Sequence, residues 1–199
     1  MFGMSYDKPA KHMREYIDVI TPLLNGEAVS YSGEQYKINS SLKISGASKV
    51  PLIIAARGPL MLKIAGTYAD GTTLWVTGPK AITEYIVPTI TAAASAVGKA
   101  APCIVAALPI VVTNDVAAAK FKIVEDLKTY DMLPSYRAML DREGAGGPED
   151  VAIIGDAIMV KEGIAKLSDA SVTDFNTAIM LVEEGSLEAT LNVLQSELS

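Results

Sequence analysis

Two Gly-Pro pairs carry the most suggestive chemistry in this sequence. Gly58-Pro59 follows the apolar run "VPLIIAA" (50–56), Gly78-Pro79 follows "TTLWVT" (72–77), and a stretch with helical spacing succeeds each pair. Proline in the first turn of a helix wastes no hydrogen bond, because that N–H has no partner inside the helix. Glycine before it lets the backbone approach whatever occupies the corner. The remaining free N–H groups and the positive end of the helix dipole then favour an anion, a phosphate above all. Arg57 stands at the first corner, Thr77 and Lys80 at the second. Each pair alone reads more readily as a short βα turn. Their repetition, with basic neighbours, is the reason to carry the phosphate reading forward.

Other chemistries are poorly supplied. One cysteine and one histidine are too few for a transition-metal site, and no metal is expected. His12, in "KHMRE", reads as a solvated surface residue, and Cys103, opening an apolar run, as a buried inert thiol. The formal net charge is −6 with scattered basic residues, which excludes a nucleic-acid footprint. Trp75 alternates with Thr73 and Thr77, and core packing is the favoured reading over cofactor contact. Tyr136 and Arg137 read as interhelical packing before a site mouth. Glu183-Glu184 read as acids before a helix start, and Asp70-Gly71 as a turn.

The elements that must hold these residues follow from periodicity. Residues 8–24 space Met13, Tyr16, Ile17, Ile20, Leu23 and Leu24 as a helix, and "AVSYSGEQYKI" (28–38) reads as a hairpin. Strands follow at 50–56, 72–77, 103–112 and 172–181. Helices run from Pro59 to about Tyr68, from Pro79 to Val97 with a possible kink at Pro88, and from Val116 to Tyr130. A short helix over 134–147 ends in a glycine corner. Residues 147–170 read as helical with Asp156 capping the second half, and Ser186 opens the last helix. Apolar strands separated by helices of this length indicate parallel βα units, four of them, with no linker or second domain.

The stretch "AARGPLMLKIAGTYADGTTLWVTGPKAI" resembles the bacterial luciferase-like family of flavin and deazaflavin oxidoreductases, and within it the branch that uses coenzyme F420. "REYIDVITPLLNGE" (14–27), "PSYRAMLDREGA" (134–145) and "SVTDF" (171–175) are similar to that branch as well, so the resemblance covers nearly the whole chain. It implies a TIM-type (β/α)8 barrel with the cofactor, coenzyme F420 or alternatively FMN, at the C-terminal ends of the strands. By position, Ala55, Ala56, Arg57, Gly58 and Pro59 would line the cofactor's phosphate side, joined by Thr77, Gly78, Pro79 and Lys80. Arg57 replaces the family's usual apolar residue, and Ser171 the glycine usual before the last strand.

A (β/α)8 barrel takes about 250 residues; residues 1–199 correspond to its C-terminal half, as one domain. The fold expected is therefore α/β, an incomplete barrel of about four parallel βα units with an N-terminal helix and a small hairpin. The acid/base residue of the family belongs to the earlier strands, and no catalytic residue is assigned. Met1 opens either a shortened protein or an incomplete reading frame. Open strand edges and an uncovered apolar face call for pairing, so a homodimer or larger assembly is expected. The function implied is hydride transfer between a deazaflavin and a small-molecule substrate. The runner-up is a non-catalytic half-barrel that binds flavin or nothing. A weaker third is a TIM-type enzyme of phosphorylated metabolites using Glu183 or Glu184. The first residues show no secretory signal, the longest apolar run (103–112) is too short to span a membrane, and the lone cysteine suits a reducing cytoplasm.

Overall fold

The computed structural model describes residues 7–46, 48 and 50–198. Helix α1 (Pro9–Leu24) precedes the antiparallel hairpin β1 (Ala28–Ser32) and β2 (Lys37–Ser41). Its Glu15 fastens the hairpin: the carboxylate, 6% exposed, accepts the N–H groups of Glu34, Gln35 and Tyr36 at 3.1, 2.7 and 3.3 Å. His12 is half-buried against the same turn, 2.6 Å from the Tyr36 hydroxyl, which corrects its reading as a solvated residue.

Then come β3 (Ile53–Ala55), α2 (Pro59–Tyr68), β4 (Gly71–Trp75) and a continuous helix over 79–95. That helix is made of α3 (Pro79–Ala81), a π-helical turn (Ile82–Ile86) and α4 (Val87–Ser95). The wide turn stands immediately before Pro88. It makes room for a ring that would otherwise strike a carbonyl one turn back, so the helix continues instead of breaking. The chain goes on through β5 (Cys103–Val112), α5 (Val116–Met132), α6 (Pro134–Glu143), β6 (Ile153–Gly155), α7 (Ala157–Asp169), β7 (Asp174–Ile179) and α8 (Ser186–Ser196).

The helix expected across 147–170 is corrected. A 3-10 turn (Pro148–Asp150) and the strand β6 precede α7, which starts at the expected cap, Asp156 accepting the N–H groups of Ile158 and Met159. Ile110 of β5 pairs with Ile153 on one side and Ile179 on the other. β6 therefore extends the edge of β5 that β4 leaves at Trp75, and it is short because only that upper part of the edge is free. The parallel sheet has five strands among the described residues, in the order β3-β4-β5-β6 with β7 on the other side of β5. It is not closed: β3 is bonded only to β4, and β7 only to β5. That is a partial barrel.

Alternation along the strands decides what each face carries. Ile54, Leu74, Ile104, Ala106, Leu108 and Ile110 are buried and belong to the main core, which also holds Leu62 of α2, Ile82, Ile86 and Ile90 of 79–95, and Val160 of α7. The register aligns Ala55, Thr73, Val105 and Asp174 across the opposite face, and Trp75, Ala107 and Asn176 one pleat further up. Asp70 lies in the expected turn before β4 and ties it to both neighbouring strands: its carboxylate accepts the Leu52 N–H at 2.8 Å and its carbonyl accepts the Cys103 N–H at 2.9 Å. Cys103 is half-exposed, not buried, because it opens β5 at the rim of the sheet. No helix among the described residues is long and apolar enough to cross a membrane.

Candidate functional site

The two Gly-Pro corners lie at the C-terminal ends of neighbouring parallel strands, as their sequence positions require. At the first, the Thr72 hydroxyl both accepts the Ala56 N–H and donates to the Ala56 carbonyl, each at 3.1 Å, and fixes the backbone just past β3. Ala55, Gly58 and Pro59 are exposed, Ala56 is buried and Arg57 half-buried. Gly58 has an ordinary φ of −80°, and a Cβ added there meets nothing within 4 Å. Neither backbone strain nor a protein contact asks for glycine at this position, and the space beside it is open. The first intrahelical N–H to be satisfied is that of Leu62, which donates to the Gly58 carbonyl at 2.9 Å. The N–H groups of Leu60 and Met61 have no partner among the described residues.

The second corner is closed. The Glu143 carboxylate, from the end of α6, accepts the N–H groups of Lys80 at 3.3 Å and Ala81 at 2.8 Å. A Cβ on Gly78 would stand 2.3 Å from Glu143 Cδ. Thr77 and Gly78 are buried, Pro79 half-buried, and Lys80 exposed. The Thr77 hydroxyl donates to the Trp75 carbonyl at 3.3 Å. Between them, Val76 is fully buried at φ 53°, a left-handed conformation costing a β-branched residue on the order of 1–3 kcal/mol. The end of α6 is held from several sides. Arg142 stacks 3.9 Å from the Tyr85 ring centre, and Arg137 donates to Asp131, Asp141 and the carbonyls of Ala145 and Gly146 at 2.6–2.8 Å. Arg137 thus takes the packing role expected of it. Glu143 was not legible in the sequence, since its partners lie far along the chain and no motif links them.

Arg57 turns away from its own corner toward Trp75. One guanidinium nitrogen, Nη1, donates to the Trp75 carbonyl at 3.4 Å, and the group lies 3.6 Å from the centre of the Tyr136 ring. Trp75 meets Tyr130 edge-on at 6.1 Å, and Tyr130 meets Tyr136 at 4.8 Å. Tyr136 therefore reaches the corner as well as packing between helices. Arg57 Nε and Trp75 Nε1 are both buried without a hydrogen-bond partner, an arrangement that costs about 1–3 kcal/mol per donor. Glu183 accepts the Thr113 hydroxyl at 2.6 Å and is tied to the end of β5, away from both corners; Glu184 is exposed. Among the described residues no group of three or more His, Cys, Asp or Glu could hold a metal ion. A cavity of about 670 Å³ lies between the end of α1 and Leu42, Lys43, Ile44, Ser45, Ser48 and Val50, and includes neither corner.

Residues 1–183 match the model of the luciferase-like monooxygenase family. The chain belongs to that family. The 5,10-methylenetetrahydromethanopterin reductase of Methanopyrus kandleri is 33% identical over 189 residues, covering 91% of this chain and 49% of that protein. The same enzyme of Methanolobus tindarius is 31% identical over 173 residues, covering 86% of this chain and 52% of that protein. Among solved structures, an F420-dependent secondary alcohol dehydrogenase superposes with a TM-score of 0.75 at 17% identity, over 98% of this chain and 64% of that one. The coenzyme F420-dependent tetrahydromethanopterin reductase of M. kandleri gives 0.72 at 24%, over 92% and 60%. This luciferase-like chain thus spans about half the length of the curated relatives it matches, and its open sheet is a portion of their TIM-type barrel.

Proposed function

We propose that residues 1–199 form the C-terminal half of a coenzyme F420-dependent oxidoreductase, with the cofactor's phosphate side at the first Gly-Pro corner. The observation that carries this reading is the unfilled space over Gly58 beside the unpartnered N–H groups of Leu60 and Met61. F420-dependent enzymes among the structural neighbours, together with the reductases among the relatives, support the choice of deazaflavin over FMN.

When bound, the deazaflavin supplies hydride transfer to or from a small-molecule substrate. The chain's own residues bind and orient. Ala55 and Ala56 present a small surface past β3, Gly58 leaves room, and Pro59 starts the helix whose free N–H groups face the anion. Arg57 adds charge. At the second corner Thr77 and Gly78 are buried and Glu143 holds the N–H groups of Lys80 and Ala81, so only Pro79 and the exposed Lys80 ammonium are left to border the site. Half a barrel leaves β3 and β7 with open edges, so the working unit is a homodimer or larger assembly, or a pairing with the other half of a barrel; we place it in the cytoplasm.

The open edges also favour a second reading, a unit that binds cofactor without turnover until it is completed. Turnover that appears only on adding an N-terminal half-barrel would support it. The first reading is tested by titrating the protein with oxidised coenzyme F420 and with FMN, following cofactor fluorescence. Saturable F420 binding, at least tenfold weaker in Gly58→Val, is expected. Failure to bind either cofactor, or equal binding by the variant, would overturn the assignment of the corner.

A further inference from the structure

Arg57 and Trp75 pose a question that the Gly-Pro backbone does not answer. Arg57, like Arg142, has no carboxylate partner among the described residues, whereas Arg14 pairs with Asp18 and Arg137 with Asp131 and Asp141. Its charge is met only by the Trp75 carbonyl and the face of Tyr136. Its Nε is buried and unpartnered, and so is the indole N–H of the residue it leans on. Two side chains in contact thus each bury a donor, one of them on a positively charged group, that lacks an acceptor oxygen. Trp75 alternates with the buried Leu74, is in register with Ala107 and Asn176, and packs with Tyr136 against the margin of the main core, the packing expected of it.

We infer that Arg57 and Trp75 form an oxyanion subsite, distinct from the backbone corner at Gly58, that takes a carboxylate or phosphate group of a bound ligand. The guanidinium offers charge and a planar edge, the indole a single directed N–H. Tyr136 packs on the guanidinium, Tyr130 meets the indole, and the two tyrosines meet each other, so the four side chains form one cluster. The subsite stands apart from the identity of the cofactor, because inorganic anions can probe it alone.

Trp75 is the only tryptophan in the sequence, so intrinsic fluorescence reports from the subsite itself. The protein is titrated with sodium phosphate and with sodium acetate against sodium chloride at matched ionic strength. A saturable change with at least one of the two oxyanions, and none with chloride, is expected. The midpoint should rise at least tenfold in Arg57→Met. In Trp75→Phe, where the fluorophore is gone, the anion-dependent rise in melting temperature should shrink. Absence of a saturable response in the wild type, or an unchanged midpoint in Arg57→Met, would overturn the proposal. If Arg57→Met does not fold, Arg57→Lys decides: it keeps the charge but loses the fork, and an unchanged midpoint there also overturns it. Competition separates the sources. Displacement of phosphate by coenzyme F420 but not by its phosphate-free deazaflavin core assigns the oxyanion to the cofactor; displacement by neither assigns it to the substrate, and either outcome supports the subsite. Because Gly58→Val is read by cofactor fluorescence and Arg57→Met by Trp75, failure of this subsite is distinguishable from failure of the F420 reading.

Discussion

The two Gly-Pro corners began with the same sequence grammar and ended in opposite states. Both put proline at the first helical position behind a glycine of ordinary φ. At Gly58 the N–H groups that follow are unpartnered and an added Cβ meets nothing; at Gly78 the equivalent N–H groups are taken by Glu143 and an added Cβ strikes its carboxylate. A capping carboxylate already satisfies what a phosphate would satisfy. Of two similar turns, then, the chain has closed one with its own side chain and left the other open.

The widest difference is expected from Glu143→Ala. It leaves two helix N-terminal N–H groups without their acceptor and should cost about 1–2 kcal/mol, read as a lowered midpoint in urea unfolding. An unchanged midpoint would break the claim that Glu143 closes the corner. Next comes the glycine pair. Gly78→Ala should cost about 1 kcal/mol by pushing the Glu143 carboxylate off its donors, whereas Gly58→Ala should stay within about 0.5 kcal/mol. Equal effects would dissolve the contrast.

A parallel contrast exists between two helix ends. Gly144 closes α6 at φ 80°, while Ser171 follows α7 at φ 64°. Its N–H donates to the Ser168 carbonyl and that of Val172 to the Leu167 carbonyl, the pairing of a Schellman motif in which glycine is the relaxed choice. Ser171→Gly should therefore raise stability by about 0.5–1 kcal/mol, measured by the same unfolding curves.

Glu15 sharpens the comparison by pH. Like Glu143 it accepts backbone N–H groups, and the Gln35 N–H, with those of Glu34 and Tyr36, holds its carboxyl below the ordinary 4.5. With the folded value depressed, its contribution is present above the unfolded value and lost as pH falls through the folded one. Glu15→Gln should be less stable than the wild type at neutral pH, and the two melting curves should converge as pH falls below the ordinary 4.5 and through the depressed folded value. A gap that persists in acid would mean the carboxylate charge is not what holds the hairpin.

Legibility in the sequence followed the range of the interactions. β5 was readable because "CIVAALPIVV" is apolar throughout, and α2 because Pro59 starts it and its periodicity continues to Tyr68. β6 was not: three residues carry no period, and their strand conformation depends on the stretch of β5 that β4 leaves free. Residues on the corners could be named, because strand ends and prolines mark them locally. That Glu143 would fill one corner, and that Arg57 would turn toward Trp75 and Tyr136, are consequences of where α6 packs. No local pattern encodes that.

The central claim is that ligand enters at the first corner while Glu143 keeps the second. The most direct test is a titration of ¹⁵N-labelled protein with coenzyme F420, following the backbone amides of Leu60 and Met61 against those of Lys80 and Ala81. Large, saturable shifts at Leu60 and Met61 with Lys80 and Ala81 nearly still are the expected result. Shifts concentrated at Lys80 and Ala81 would contradict the account, because the ligand would then have displaced the carboxylate held to keep it out.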